Sequence, residues 1–163
     1  MNVEKELLSI RGELRGYARY LVWDHDKADD LLQDTALKIL TNAETFSPGT
    51  NFKGWTFAIM RNTFLNSVHR ANPIVYLDDM SYNGSFAASM VSQQSSDRNL
   101  DLQDIYNAID SLPASRSEVV YLLILGHKYD EIANILDIPT GTVKSRINAS
   151  RNELRKILED YFK

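Results

Sequence analysis

The stretch Tyr129-Asp-Glu-Ile-Ala-Asn-Ile-Leu-Asp-Ile-Pro-Thr-Gly-Thr-Val-Lys-Ser-Arg-Ile-Asn-Ala-Ser-Arg151 decides the fold. Its first part sets Ile132, Ala133 and Leu136 on one apolar stripe, with Asp130 and Glu131 where a helix N-terminus favours negative charge. Asp137-Ile-Pro-Thr140 then reads as a tight connection, with Thr140 expected as the N-cap of the next helix. Ala133 is small where two helices must cross closely, and the apolar Ile138 is suited to plug the corner. Two short helices joined by such a turn form a helix-turn-helix, whose second helix enters the major groove of duplex DNA. If Val143, Ile147, Ser150, Leu154 and Leu158 face inward, Lys144, Asn148, Arg151 and Arg155 line the outside at i, i+4, i+7 and i+11. Lys and Arg reach phosphates or guanine edges, and Asn pairs with adenine. Thr140, Gly141 and Thr142 offer backbone N–H groups to a phosphate. A structural hairpin with a solvated basic face is the plainer alternative; turn, core and charge together favour DNA.

Upstream, a helical pattern at Leu102, Ile105 and Ile109 breaks at Ser111-Leu-Pro113. Ser115 with Glu118 fits a capping box before the apolar run 119–125, which Gly126 ends. Between residues 71 and 101 periodicity fails, and Asn72-Pro73, Asn83-Gly-Ser85 and Ser92-Gln-Gln-Ser-Ser96 mark a linker. A structureless loop of that length is uncommon inside a compact domain. Before it, Leu32, Ala36, Ile39 and Leu40 share one helical face and Phe57, Met60, Phe64 and Val68 another, separated by the turn Ser47-Pro-Gly-Thr50. No strand-like alternation appears. The expected fold is all-α: two small helical domains, 1–72 and 102–163, joined by a flexible linker at 73–101, the C-terminal one a helix-turn-helix.

The chain has 163 residues, 44% of them hydrophobic, and a net charge of −4 from 18 Lys+Arg against 22 Asp+Glu. That is the balance of a folded protein. No cysteine is present, which excludes disulfides, Cys-type zinc sites and thiol nucleophiles. No apolar run approaches the roughly 20 residues that span a bilayer. The charged opening Met1-Asn-Val-Glu-Lys-Glu lacks a signal-peptide core, so a cytoplasmic protein without membrane insertion is expected. Mild acidity alone argues against a nucleic-acid binder, but the charges are segregated. Five aspartates fall between Asp24 and Asp34, whereas residues 45–77 and 138–152 contain no acid. One acidic block and two basic windows suit one basic partner and two anionic contacts.

The first basic window holds Lys53, Arg61, His69 and Arg70. With Phe57, Met60, Phe64 and Val68 turned to the core, Asn62, Asn66 and His69/Arg70 form a second stripe with Arg61 beside it, suited to single-stranded DNA. Its aromatic residues read as core, with Trp55 anchoring the preceding loop. The acidic block lacks the alternation and glycine of a calcium loop, and no second ligand cluster exists, so neither metal nor cofactor is expected.

In order, the acidic helix Asp29-Asp-Leu-Leu-Gln-Asp-Thr35, the Phe46 loop, the Phe52-x-x-Trp55 helix, a polar linker, Tyr129-Asp-Glu-Ile-Ala133 and Pro139-Thr-Gly-Thr-Val-Lys-Ser-Arg146 resemble the bacterial sigma-70 family, in its small extracytoplasmic-function (ECF) group. The resemblance implies an all-helical subunit that joins core RNA polymerase and has no catalytic residue of its own. It implies that Asp29, Asp30, Gln33 and Asp34 grip the β′ clamp helices, with the β flap as a further polymerase contact. Lys53, Arg61, Asn62, Asn66, His69 and Arg70 would hold the melted −10 element, the 46–54 loop capturing a flipped base. Thr140, Thr142, Lys144, Ser145, Arg146, Asn148 and Arg151 would read the −35 element, the linker would pass near the active-site channel, and an anti-sigma factor would be a further partner. Lys128 stands where many members have a capping Ser, so the helix start at Tyr129 is expected to be less well capped. Asn148 and Ala149 replace bulkier or basic groups. The alternative is a stand-alone helix-turn-helix regulator, which would need neither the acidic helix nor the asparagine-rich one.

Overall fold

The computed structural model describes residues 2–22, 24–71, 73 and 99–161; the linker reading at 74–98 lies outside them. Among the described residues there are seven α-helices and no strand. The N-terminal half comprises α1 (Val3–Leu21), α2 (His25–Thr41), a 3-10 turn (Ala43–Thr45) and α3 (Phe52–Ala71). The C-terminal half comprises α4 (Asn99–Asp110), α5 (Ala114–Ile124), α6 (Tyr129–Leu136) and α7 (Thr140–Tyr161).

Short polar side chains start the N-terminal helices. Asn2 Oδ1 accepts the Lys5 N–H at 3.0 Å, and Asp24 Oδ1 accepts those of Asp26 and Lys27 at 2.9 and 3.0 Å. The hydrogen bond from Lys27 lowers the Asp24 pKa, the carboxylate being the form that accepts it. Part of the acidic block therefore serves the helix itself. Asn51 caps α3 by accepting the Gly54 N–H at 3.1 Å, and a Cβ on Gly54 would lie 2.7 Å from the Asn51 amide.

α5 ends in a Schellman closure. Gly126, at φ 85°, donates to Leu123 O at 3.0 Å, and His127 donates to Leu122 O at 3.2 Å. This turn aims His127 back into the protein. α6 begins without a capping hydroxyl; Glu131 supplies only the other half of a capping box, its Oε2 accepting the Lys128 N–H at 2.8 Å. Ile138 packs into the corner between α6 and α7, as its place in the turn implied.

Three local expectations are corrected. Ser115 and Glu118 form no capping box: α5 starts at Ala114 after Pro113, without a side-chain cap, and Glu118 is buried. Thr140 is already the first residue of α7, and its hydroxyl donates to Asp130 Oδ1 at 3.3 Å instead of capping. Leu40 is 45% exposed, because Ile39 takes the inward position on α2.

The two halves also share a core. Leu14, Tyr17, Leu21, Phe57 and Met60 are continuous with Val119, Tyr121, Leu122, Ile132 and Leu136. α3 lies against α6 at this joint. A smaller cluster of Ile39, Phe46 and Phe52 sits under the loop that leads into α3. Trp55 stands 5.1 Å from Phe46 and 5.9 Å from Phe52 between ring centres, in the anchoring role expected of it.

Candidate nucleic-acid interface

α7 separates its two faces cleanly. Val143, Ile147 and Ser150 are buried, the serine hydroxyl being satisfied by Arg146 O at 2.7 Å. Leu154 and Leu158 are half-buried along the same side. Lys144, Ser145, Asn148, Arg151 and Arg155 are exposed. Arg146 is half-buried and reaches back to Ser115 O at 3.5 Å, so it fastens α7 to α5. Thr140 and Thr142 flank the exposed Gly141 at the helix start. The exposed row, on a rigid helix braced by α6, has the shape of a groove-reading helix.

On α3 the predicted residues divide. Asn62, Asn66 and Arg70 are exposed on one face and His69 is half-buried beside them. Arg61 is not on that face. It is 8% exposed, and its Nε lies 3.1 Å from Glu118 Oε1 on α5. Lys53 is likewise engaged, donating to Leu125 O at 2.8 Å and pairing with Glu13. The sequence showed these two as cations but not that Glu118 and Leu125 O of the C-terminal half, and Glu13 of α1, engage them.

On α2, Asp30, Gln33 and Asp34 are exposed in one row, continued by Leu37 at 66% exposure and Leu40. Asp29 is tied to Arg15 of α1 at 3.1 Å, an exposed pair worth little to stability. The two exposed leucines extend the acidic row into a mixed acidic and apolar stripe, a feature the charge pattern alone missed. Asp30 and Asp34 also border an apolar groove of about 420 Å³ lined by Leu31, Phe64 and Val68. No group of three or more His, Cys, Asp or Glu side chains suited to a metal occurs among the described residues.

His127 is the most perturbed group of the joint. It is 2% exposed, edge-on to Phe57 with ring centres 4.7 Å apart, and neither ring nitrogen has a hydrogen-bond partner. Its Nδ1 is 3.7 Å from Glu131 Oε2, too far for a hydrogen bond. Burial, aided by Lys53 and opposed by Glu131 and Glu13, lowers its pKa to about 4. A depressed histidine stabilises the fold fully above its ordinary pKa of 6.5, and that contribution is lost as pH falls toward about 4. The expected loss by pH 4 is of the order of 3 kcal/mol. Urea unfolding at stepped pH checks it: His127→Leu should lose correspondingly less stability over the same range, and parallel curves would refute the assignment.

An exposed cationic helix on a helix-turn-helix, carried with a second helical half, defines a DNA-binding protein. Comparison with known proteins narrows the class. Residues 8–73 match the model of Sigma-70 region 2, and residues 102–154 that of Sigma-70 region 4. The chain is 33% identical over 158 residues to the ECF RNA polymerase sigma factor EcfG of Rhodopseudomonas palustris, covering 96% of this chain and 85% of that one. It is 31% identical over 144 residues to SigW of Bacillus subtilis, covering 82% and 76%. The solved sigma factor RpoE, in complex with the anti-sigma factor NepR from Bartonella quintana, superposes with a TM-score of 0.70 at 32% identity over 96% of both chains. CnrH, in complex with the cytosolic domain of CnrY, shares the fold, with a TM-score of 0.61 at 19% identity over 97% of this chain and 88% of that one. The chain belongs to the ECF RNA polymerase sigma factors of the sigma-70 family.

Proposed function

We propose that this chain is a dissociable promoter-recognition subunit, working in the cytoplasm without catalysis of its own, that brings core RNA polymerase to its promoters. The observation that carries the reading is the coexistence, in one chain, of an exposed cationic row on α7 and an exposed acidic row on α2. A stand-alone regulator has use for the first but none for the second.

The halves would divide the work near residues 72 and 102. Asp30, Gln33 and Asp34, with Asp29 held beside them by Arg15, would dock on the β′ clamp helices, while the C-terminal half meets the β flap. Asn62, Asn66, His69 and Arg70, joined by Lys53 and Arg61, would hold the melted −10 strand, whose phosphates need cations and whose unstacked bases need amide partners. Lys144, Ser145, Asn148 and Arg151 would read the −35 duplex, Thr140 and Thr142 would contact its phosphates at the start of α7, and Arg146 would hold α7 in register. An anti-sigma factor is a fitting regulator, since a solved relative of 32% identity is seen with one.

The experiment is co-purification with core RNA polymerase. Asp30→Arg with Asp34→Arg should weaken core binding by at least about tenfold, because exposed charges of the wrong sign face a basic partner. Both carboxylates are exposed, so thermal unfolding should barely move. Undiminished core binding would remove α2 from the polymerase interface.

A further inference from the structure

The turn of the helix-turn-helix brings two helix starts side by side. α6 closes at Asp137, whose left-handed backbone (φ 54°) and N–H bond to Ala133 O turn the chain sharply. Pro139 O then accepts the Thr142 and Val143 N–H groups at 2.9 and 3.2 Å, which starts α7 at once. Thr140, the first residue of α7, therefore lies beside Asp130 in the first turn of α6, and its hydroxyl donates to Asp130 Oδ1 at 3.3 Å. Asp130 is exposed and Thr140 half-buried. Thr140 also stands one turn ahead of Lys144 on the same side of α7, at the head of the exposed row.

The direction of this bond follows from the chemistry of the pair. A carboxylate only accepts, whereas a hydroxyl has one proton and two lone pairs. The Thr140 proton is committed to Asp130, so what the hydroxyl still offers outward is a lone pair. In that state the side chain cannot donate to a phosphate oxygen, and only the backbone N–H of Thr140 serves the phosphates. The hydroxyl can still accept, and residues at the start of a recognition helix meet base edges in the major groove. There adenine and cytosine present amine donors where guanine and thymine present carbonyl acceptors. The carboxylate behind the hydroxyl sharpens the contrast, since its charge attracts an amine and repels a carbonyl oxygen. A plain brace between α6 and α7 would use the same bond but leave base preference untouched.

We propose that Asp130 is a positioning residue that sets specificity: by holding the Thr140 proton it makes Thr140 an acceptor, which selects adenine or cytosine over guanine or thymine at one position of the −35 duplex. The inference deepens the promoter-recognition reading and rests on its −35 contact. Asp130 acts through Thr140 and touches no base itself.

Selection of binding sites tests this. The full-length parent and its variants, each alone and with core RNA polymerase, are offered duplexes randomised over the −35 element, and the bound sequences are counted. The parent should show one position enriched about fivefold in adenine or cytosine, the low end of what one good base-edge contact discriminates. Asp130→Asn keeps the size of the side chain, but its amide can donate to Thr140 and free the hydroxyl proton for a base. The enrichment should then disappear or turn toward guanine and thymine, while the other positions keep their preferences. Thr140→Val should abolish it and Thr140→Ser should keep it. With Thr140→Val in place, adding Asp130→Asn should change nothing further at that position. An enrichment that survives Asp130→Asn would overturn the inference. So would a position that still responds to Asp130→Asn in the Thr140→Val background, because Asp130 would then read the base directly. A uniform change in affinity with no position altered would make the pair a brace or a phosphate neighbour, and would overturn it as well. A parent that selects no sequence in either setting would sink the inference and the promoter-recognition reading together. Selection by the chain alone but not with core polymerase would count against that reading only.

Discussion

Phe57→Ala is expected to lower the unfolding free energy by about 3–5 kcal/mol, the range for a fully buried phenylalanine replaced by alanine. Phe57 is 0% exposed and sits where α3 meets both α1 and the start of α6. Its ring lies 5.1 Å from Tyr17 and 4.7 Å from His127, so removing it strips aromatic contacts from both halves at once. The cavity cannot close easily, because its walls are the equally buried Tyr17 and Met60 on helices braced from the other side. Leu37→Ala is the matched control: Leu37 is 66% exposed, and its loss should change stability by no more than about 0.5 kcal/mol. Urea denaturation of the two variants measures the difference. A loss below about 1 kcal/mol for Phe57→Ala would mean that the halves do not share this core in solution.

Lys144→Ala combined with Arg151→Ala is expected to cost about 2–6 kcal/mol in binding to duplex −35 DNA, at about 1–3 kcal/mol for each good base-edge contact. Two turns of helix separate the residues, and both are exposed, so their effects should add. The buried side of α7 is untouched, since Val143 and Ile147 hold the helix in place without them. Binding titrations at several salt concentrations separate the possible roles. A residue that contacts only phosphate takes about one unit from the salt slope and weakens all sequences alike, whereas a base contact relaxes preference at one position. The Arg146→Ala variant should act differently, losing α7 docking on Ser115 together with affinity. Unchanged duplex binding in the double variant would place the reading face elsewhere.

The C-terminal constellation was legible because its signals are local. Val143, Ile147 and Ser150 lie one turn apart and are buried as their period implied, and the neighbouring apolar Ile138 fills the corner. Glu118 shows where such reasoning ends. Three residues after Ser115, it has the spacing of a cap, yet its partners Arg61 and Tyr17 lie 57 and 101 residues away in the chain. No pattern confined to one helix can register a bond of that span. The start of α6 lacks a side-chain cap at Lys128, as the sequence implied, and Glu131 three residues later accepts the Lys128 N–H instead, a different bond of the same turn. Arg61 was legible as a cation but not as a covered one, because Glu118 comes from the opposite half, and Lys53 is shared between Glu13 of its own half and Leu125 O of the other. Net charge misled for a related reason: it sums an acidic row on α2 with basic windows on α3 and α7.

Promoter-specific initiation by the reconstituted holoenzyme tests the central claim most directly. Core RNA polymerase supplied with the full chain should start RNA synthesis on a template carrying paired −35 and −10 elements. The start point should be fixed by those elements, and transcripts should fall sharply when Asp30→Arg with Asp34→Arg or Lys144→Ala with Arg151→Ala replaces the parent. A chain that binds duplex DNA without core polymerase and leaves initiation unchanged would instead be a stand-alone regulator, and would contradict a promoter-recognition role.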